Sequence, residues 1–439
     1  MRFSIGIDNV GLFFCALFTF MWIVAGIYAS KYTTHQSNNK RFYTCYIASY
    51  VMLVILCFAQ NYFTMYLSFE FMTLISMPMV LHNGTDEAIA AAKKYLFYSI
   101  AGATLGLLGF FFSAQYCTTF DFVPGGSLAP QYLIDTPAVL LAAIFLAVVG
   151  FGAKAGLFPL HAWLPTAHPV APAPASAVLS GVITKAGVLC IIRVIHFVFG
   201  PAVVRGTWVQ YAWICLALLT VVMGSLMAAQ QDLFKKRLAY STVSQVSYVL
   251  FGIFTLNPIG MLGSMLHIIY HSVIKDCLFM SAGSVMFANH LHEGEPATEL
   301  QIARSKALVS SFDGIGREMP ITFACFTIAS LGLVGVPPFA GFLSKWYLAT
   351  GSLAEGIPVL SWLGPACLLA SALLTAVYLL SISIRAYFPP KDKEIQPTCH
   401  EVPAPMLFSE ILLAVLVVVL GVFAQNLVDI FNVIIAGFM

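Results

Sequence analysis

The sequence predicts an all-α polytopic membrane protein of about twelve transmembrane helices. First, 60% of the 439 residues are hydrophobic and only 9% are charged, whereas a water-soluble domain carries roughly a quarter of its residues as charged ones. Second, apolar stretches near the length needed to cross a bilayer, about 20 residues each, recur along the whole chain. Third, the basic residues fall in alternate loops between these stretches, as they do in cytoplasmic loops. A soluble globular enzyme is therefore excluded.

The helix count follows from the apolar stretches taken in order. They fall at approximately 10–29, 41–60, 62–82, 88–113, 138–160, 172–198, 211–229, 234–256, 259–287, 319–350, 361–386 and 407–435. The stretch at 319–350 is long enough to be interrupted.

The distribution of basic residues tests this count independently. Of the 21 basic residues, fourteen are assigned to one face: Lys31, Lys40, Arg41, Lys93, Lys94, Lys235, Lys236, Arg237, Arg304, Lys306, Arg317, Arg385, Lys391 and Lys393. The opposite face receives only Arg2, Arg193 and Arg205. This asymmetry predicts an inner or cell membrane protein with cytoplasmic basic loops and with both termini outside.

Six ionisable residues fall inside the predicted spans, where each costs about 2.5–3.5 kcal/mol at a helix centre. They are Glu70, Lys154, Lys185, Lys275, Asp276 and Lys345. A helix bundle tolerates such groups by pairing them, hydrating them or changing their protonation. An intramembrane ionisable residue is therefore a candidate for ion translocation.

Glu70 and Lys154 are predicted to act together. Glu70 has seven uncharged residues on each side, and Lys154 lies in FGAKAGLFP. Pro159 lacks an amide proton and would clash with the carbonyl of Ala155, which breaks the helix beside the lysine. A broken helix at membrane depth usually lines a cavity. The alternative for Glu70 is a purely structural ion pair or a neutral acid.

The run HIIYHSVIKD places His267, His271 and Lys275 at i, i+4 and i+8 of one helix. These positions share a face and span about 12 Å of helix axis. Imidazoles both donate and accept protons near neutrality, so this stripe resembles a proton ladder. Lys185 is equally deep in the preceding span, with a structural lysine as the alternative. Asp276 points about 100° away from the stripe and pairs across an interface in the simplest interpretation.

A second predicted helix break precedes Lys345. Pro337 and Pro338 interrupt the stretch 319–350 as Pro159 interrupts the earlier one. A proline break with a buried lysine in each half is typical of transporters built from repeats. His161 and His168 flank a proline-rich connection, either at a cavity mouth or as capped loop residues.

Motifs for other chemistry were not found. The sequence has no phosphate-binding G-x-x-x-x-G-K-[ST] loop, no dinucleotide fingerprint and no zinc-ligand spacing. The ten cysteines include no C-x-x-C pair, so they are interpreted as packing residues. We therefore expect no cofactor in this chain.

The segment FGAKAGLFPLHAWLPTAHPVAPAPASAVLSGVITKAG resembles the signature of the antiporter-like membrane subunits of respiratory complex I, Mrp cation/proton antiporters and energy-converting hydrogenases. The segments LFKKRLAYSTVSQVSY, HIIYHSVIKDCLFMSAG and GVPPFAGFLSKW resemble the later motifs of this family, in the same order. The resemblance covers nearly the whole chain.

The resemblance implies a residue role at each matched position. Glu70 and Lys154 would be the glutamate–lysine pair, Lys185 the central lysine, and Lys345 the lysine of the second broken helix; His267 and His271 would continue the buried axis. It also implies two inverted five-helix units at 41–198 and 211–386, after an N-terminal helix (1–40) and before a C-terminal helix (387–439). The segment Ile7–Asn9 resembles the start of the family's third helix, so the first two helices are expected to be missing.

Three functions are compatible with these observations. The leading one is a proton-translocating, or sodium-translocating, subunit of a redox-driven complex, with other membrane subunits and a peripheral iron–sulfur module as partners. The second is a subunit of a sodium/proton antiporter without a redox partner. The third is a twelve-helix solute carrier, although the loop pattern G-x-x-x-D-R-x-G-R typical of that group is missing.

Overall fold

The computed structural model describes residues 2–36, 38–290, 299–389 and 399–439. The principal helices are α1 (Asn9–Tyr32), α2 (Asn39–Cys57), α3 (Tyr62–Val80), α4 (Asp86–Tyr116), α5 (Ala138–Ala155), α6 (Leu164–Val170), α7 (Ala173–Phe199), α8 (Trp208–Ala229), α9 (Phe234–Phe254), α10 (Pro258–Ala288), α11 (Pro320–Val334), α12 (Phe342–Ala354), α13 (Leu360–Tyr387), α14 (Ala404–Val422) and α15 (Ala424–Ala436). Shorter helical turns lie at Thr33–His35, Pro130–Ile134, Pro201–Val204, Glu299–Ser305, Val309–Ser311 and Ile315–Glu318.

The predicted all-α fold class is confirmed. Within the described ranges, β-pairing is limited to four isolated bridges. Nine described helices are long and apolar enough to cross a membrane. The count of twelve stays a prediction, because α9 and α10 are long enough but more polar, and α11 and α12 are two short pieces.

The final apolar stretch, predicted at 407–435, is divided at Phe423 into α14 and α15. Gly421, two residues before this division, packs closely against the second helix break. A side chain at Gly421 would lie 2.1 Å from the carbonyl oxygen of Pro338, in the break between α11 and α12. This close backbone approach is possible only without a Cβ atom.

Each predicted five-helix unit holds its discontinuous helix in fourth place. The range 41–198 contains α2, α3, α4, the pair α5/α6, and α7, whereas 211–386 contains α8, α9, α10, the pair α11/α12, and α13. The division into two repeats and their inverted relationship stay predictions.

Basic-loop segments contact one another at one end of the bundle. The Arg41 guanidinium donates to the carbonyl of His82 at 2.8 Å, and the amide of Phe234 donates to Ala307 at 3.0 Å. Lys391 and Lys393, which were also assigned to this face, lie outside the described residues. We call this end the basic-loop face.

Both termini lie at the opposite end of the bundle. Arg2 forms a 3.3 Å salt bridge with Asp121. The ring of Phe438 lies 5.5 Å from the ring of Phe197, whose carbonyl accepts from the amide of Val123. Both chain ends are thus tied to the loop that follows α4.

Helix α7 lies at the centre of the bundle, and every residue of its membrane-spanning window is buried. A helix that is apolar on all sides belongs in a protein interior. Helix α10 packs against α7, α9, α12 and α14. These two central helices position most of the candidate site.

Candidate ion-translocation site

Both broken helices end in the same backbone motif. Helix α5 ends at Gly156 and α11 at Gly335, with φ values of 84° and 90°. Leu157 donates to Gly152 and Val336 to Leu331, which is the six-to-one bond of a Schellman C-cap. The helix therefore ends three residues before Pro159 and two before Pro337. The glycines stop each helix, and the prolines lie in the non-helical segments that follow.

Different side chains satisfy the open carbonyls at the two breaks. At the end of α11, Lys345 Nζ donates to the carbonyls of Leu333 at 2.6 Å and Val334 at 2.8 Å. At the end of α5, Trp163 Nε1 donates to Ala153 at 2.8 Å. Because a helix C-terminus carries partial negative charge, it stabilises the Lys345 cation directly.

Lys154 lies just before the first break and is bound by hydroxyl groups. Its Nζ donates to Tyr95 Oη at 2.7 Å and to Ser99 Oγ at 3.3 Å, both on α4. The same ammonium lies 4.3 Å from the centroid of the Tyr95 ring. Tyr95 Oη is also 2.7 Å from Ser76 on α3. Lys154 is therefore a buried amine held by α4, with a hydroxyl link to α3.

Glu70 and Lys154 do not form an ion pair in this structure. The described residues contain three salt bridges, and neither side chain takes part in them. Glu70 is only partly buried and accepts from Tyr66 Oη at 3.1 Å. The Lys154 ammonium lies 5.9 Å from the ring centroid of Phe69, the residue next to Glu70. Each of the two charged groups acts on the other electrostatically without a direct contact, and their joint role in ion translocation stays a prediction.

Lys185 connects α7 to α10. Its Nζ lies 2.6 Å from His271 Nδ1 and 2.6 Å from the carbonyl oxygen of Ser180. All three residues are fully buried. The chain from Leu179 to Ile183 forms a π-helical turn just before the lysine, and such widened turns are frequent at functional sites.

His267 lies between His271 and the second helix break. Its Nδ1 lies 2.9 Å from Ser344 Oγ, and its Nε2 lies 3.2 Å from Gln245 Oε1. The imidazole stacks on Tyr248 at 5.4 Å and lies 6.1 Å from the ring of His271. Lys345 Nζ is 5.5 Å from the same Tyr248 ring.

These contacts form one row of titratable groups through the bundle, which we call the central row: Lys185, His271, His267 and Lys345, with Ser344 and Tyr248 between the last two. Lys275 branches from the row. Its Nζ donates to the carbonyl of Leu238 at 3.1 Å instead of bonding to a histidine. Helical spacing therefore grouped the two histidines correctly, but Lys185 binds His271 from another helix.

Lys154 is not hydrogen-bonded to the central row in the described part of the chain. Helices α5 and α7 are nevertheless in close contact there. A Cβ atom on Gly187 would lie 3.0 Å from Lys154 Cβ and 2.6 Å from the carbonyl oxygen of Phe151. The site therefore consists of a Lys154 cluster (Lys154, Tyr95, Ser99 and Ser76) and the central row, packed against each other.

Lys235 was assigned to a basic loop, whereas the structure buries it in the first turn of α9. Its ammonium donates to the carbonyl of Ala171. It also lines a cavity of about 640 Å³ at the basic-loop face, together with His82, Asn83 and residues 169–172. At the rim, burial and then the nearby Arg41 cation lower the pKa of His82. We call this cavity the vestibule.

His168 lies between the vestibule and the central row. It is fully buried, stacks on Phe279 at 4.6 Å, and has no hydrogen-bond partner for either ring nitrogen among the described residues. Lys235, Lys275 and Lys185 are the charged groups that act on it. Of the two alternatives for His168, a capped loop residue is excluded, because His168 lies inside α6. The proline-rich sequence around His168 did not indicate how deeply this residue is buried.

The structure contains a buried carboxylate that the sequence did not single out. Glu410 in α14 is fully buried. It is the seventh residue of that helix. In the part of the chain that the structure describes, no group of three or more His, Cys, Asp or Glu side chains could hold a metal ion.

Comparisons with known proteins identify the family and the fold of the chain. A family described as "NADH:quinone oxidoreductase/Mrp antiporter, TM" matches residues 59–372. The chain is 33% identical to NADH-quinone oxidoreductase subunit N of Desulforudis audaxviator, over 94% of this chain and 80% of that protein. It is 27% identical to F(420)H(2) dehydrogenase subunit N of Methanosarcina mazei, over 97% and 82% of the two chains.

Solved structures show the same fold. A chain of the Mrp complex from Dietzia superposes with a TM-score of 0.81 at 17% identity, covering 99% of this chain and 84% of that one. A chain of an archaeal membrane-bound sulfane sulfur reductase superposes with a TM-score of 0.83 at 22% identity, covering 100% and 86%.

Proposed function

The chain belongs to the NADH:quinone oxidoreductase/Mrp antiporter family of membrane subunits, and on that premise we propose that it translocates protons within a redox-driven membrane complex. The observation that carries the proposal is the central row. Lys185, His271, His267 and Lys345 follow one another across the second half of the bundle, linked by hydrogen bonds and ring contacts.

The chemistry of the central row favours protons over sodium ions. Its titratable members are amines and imidazoles, which accept and release protons. Sodium is a hard cation and prefers oxygen ligands, as calcium and magnesium do. The Lys185–His271 contact also suits proton exchange, because a lysine and an imidazole at 2.6 Å can share one proton.

The vestibule provides access from the basic-loop face. Protons would enter at Lys235, pass His168 and reach Lys275 or Lys185. The support for this path is the cavity lined by Lys235 and the buried, unpartnered imidazole of His168 behind it. We propose that the basic-loop face is cytoplasmic and that both termini are outside, as the positive-inside rule predicts.

Glu70 and Lys154 would couple proton translocation to the event that drives it. Lys154 is held by Tyr95 and Ser99 in this structure, and Glu70 is partly exposed beside Tyr66. If Glu70 turned toward Lys154, the carboxylate would stabilise the ammonium and withdraw it from Tyr95. The present conformation is the separated state of such a switch.

The driving event would come from partner subunits. We expect other membrane subunits, a peripheral redox module and iron–sulfur clusters in those partners, while this chain carries no redox group of its own. Three relatives are named after redox enzymes: NADH-quinone oxidoreductase subunit N, F(420)H(2) dehydrogenase subunit N and hydrogenase-4 component B. This chain covers 62% of the length of hydrogenase-4 component B.

A second candidate is an antiporter subunit without a redox partner, which the fold likeness to the Mrp complex favours. At 17% identity that likeness supports the fold alone. Purification of the native complex separates the two candidates. Co-purifying iron–sulfur proteins are expected, whereas a complex of membrane subunits alone would favour the second.

The isolated chain provides a further test. Reconstituted alone in liposomes, it should show neither redox activity nor concentrative uptake of a solute, because nothing couples its ion path to an energy source. Driven solute accumulation by the isolated chain would contradict the proposal and favour a self-contained carrier.

A further inference from the structure

Glu410 is a buried acid that the path proposed above does not use. It lies on α14 about 9 Å from the helix start, where α14 packs against α1, α10 and α11. Its side chain is fully buried. Carboxylates are rare at such positions and usually functional.

The surroundings of Glu410 contain hydroxyl groups, thiols and one further acid. Its Oε1 accepts from the hydroxyl of Ser284 on α10. Its Oε2 has no hydrogen-bond partner among the described residues. The titratable groups that face it are Tyr28 from α1, Cys277 from α10, Cys325 from α11 and Glu401 ahead of α14. Because no described lysine or arginine pairs with it, this apolar site favours the uncharged acid.

A polar connection leads from Glu410 to the basic-loop face. Thr322 lies beside Glu410, and its hydroxyl donates to Glu401 Oε2 at 2.9 Å. Glu401 is partly exposed and also accepts the amides of Ile321 and Thr322 at the start of α11. Solvent at this face is therefore separated from Glu410 by one threonine hydroxyl.

A second connection leads inward along α10. Ser284 Oγ lies 3.1 Å from Tyr28 Oη, which donates to the carbonyl of Met280 at 2.9 Å. Ser284, Met280 and Asp276 are spaced four residues apart and so share one face of α10. Asp276 is fully buried and neither of its carboxylate oxygens has a described hydrogen-bond partner.

Asp276 adjoins the central row. Its carboxylate lies against Gly181 on α7, where an added Cβ would be 2.0 Å from Oδ1. Lys185 is the charged group that acts on it. The stripe from Glu410 through Ser284 and Tyr28 to Asp276 thus approaches the central row from a side of α10 that the histidines do not occupy.

We propose that Glu410 is an exchangeable proton-binding residue on a second branch, which runs from Glu401 through Thr322, Glu410, Ser284 and Tyr28 toward Asp276. This inference rests on the proposed proton translocation. Loading adds one proton to the Glu410 carboxylate. In transfer, each hydroxyl receives one proton and releases another, so no charge remains on Ser284 or Tyr28. A bound sodium ion would need several oxygen ligands around Oε2, and no described group hydrogen-bonds to that atom.

Infrared difference spectroscopy of the reconstituted complex, recorded across a pH step, tests the proposal. The variants are Glu410→Gln, which keeps the side-chain volume without an exchangeable acid, and Glu410→Asp, which keeps the acid. Asp429→Asn, an exposed acid on α15, is the matched control. We expect a carboxylic C=O band that shifts in D₂O, is lost in Glu410→Gln and persists in the other two variants. Initial proton uptake should fall severalfold in Glu410→Gln alone.

Three results would overturn the proposal: a band unaffected by Glu410→Gln, normal proton uptake in that variant, or a band that responds to sodium instead of pH. If Glu410→Gln fails to assemble, Ser284→Ala tests the same branch and should slow uptake with the band retained. Proton uptake measured in parallel for Lys185→Met distinguishes failure of this branch from failure of the proposed function. Loss of uptake only in Lys185→Met would reject the branch and keep the proposed function, whereas normal uptake in both would reject the proposed function.

Discussion

The Nζ atom of Lys185 lies 2.6 Å from Nδ1 of His271, across the interface between α7 and α10. The two residues are 86 positions apart in the chain and belong to different predicted repeat units. Their contact joins the lysine of the first unit to the histidines of the second. It is therefore the point at which the two halves of the proposed ion path meet.

Uncharged replacements of Glu70 or Lys154 should abolish or severely reduce ion translocation while the complex still assembles. Glu70→Gln breaks no salt bridge in this conformation, so its cost in stability should stay within about 1 kcal/mol. Lys154→Ala loses two hydrogen bonds and should cost about 1–3 kcal/mol. Ion pumping and thermal unfolding of the purified complex measure the two effects. Normal pumping in both variants would remove the switch.

Gly181→Ala should destabilise the protein by about 1–3 kcal/mol, because its Cβ would lie 2.0 Å from Asp276 Oδ1 in a fully packed interface. Thermal unfolding of the purified protein measures this cost. Gly26→Ala is the matched control, since its Cβ would lie 3.8 Å from the nearest neighbouring side-chain atom, on Tyr46. Asp276→Ala in the Gly181→Ala background should restore part of the lost stability. Equal stability of the two single variants would show that α7 and α10 are less tightly packed.

His168→Phe should slow proton uptake severalfold. The phenyl ring preserves the stacking on Phe279 but cannot accept a proton behind the vestibule. His161→Phe, which changes a histidine that stacks on Phe158 in the segment between α5 and α6, should leave the rate near that of the unmodified protein. Uptake rates in vesicles that contain the complex provide the comparison. Equal rates for the two variants would argue against access through His168.

The fold class and the two helix breaks could be predicted from the sequence because they follow from local signals. Apolar length, alternating loop charge, and glycine next to proline act within a few residues. The histidine stripe was also predictable, since i and i+4 spacing fixes which residues share a helix face.

The remaining site could not be predicted, because it depends on packing between distant segments. Lys235 is six residues past the end of α8 and looks like a loop lysine until α9 packs over Ala171. Glu410 lies near the start of an apolar run. Its burial depends on the packing of α14 against α1, α10 and α11. The hydroxyl of Tyr95, which holds Lys154 in this structure, comes from another helix and gave no signal in the sequence.

Membrane orientation can be tested with single cysteines in a cysteine-free background. Cysteines at Lys40 and Lys306, both exposed on the basic-loop face, should resist an impermeant reagent applied outside. A cysteine at Asp135, exposed between α4 and α5, should react. These expectations follow from the positive-inside rule. The reverse labelling pattern would overturn the proposed orientation.

Proton uptake by the driven, reconstituted complex with Lys185→Met tests the central claim most directly. Methionine keeps much of the shape of lysine but can neither bind a proton nor donate to His271 and Ser180. Lys306→Met, on the exposed basic-loop face, controls for the loss of a lysine. A pH-sensitive dye in the vesicles should report a loss of about tenfold or more for Lys185→Met and little change for Lys306→Met. Unchanged proton uptake in an assembled Lys185→Met complex would contradict the account.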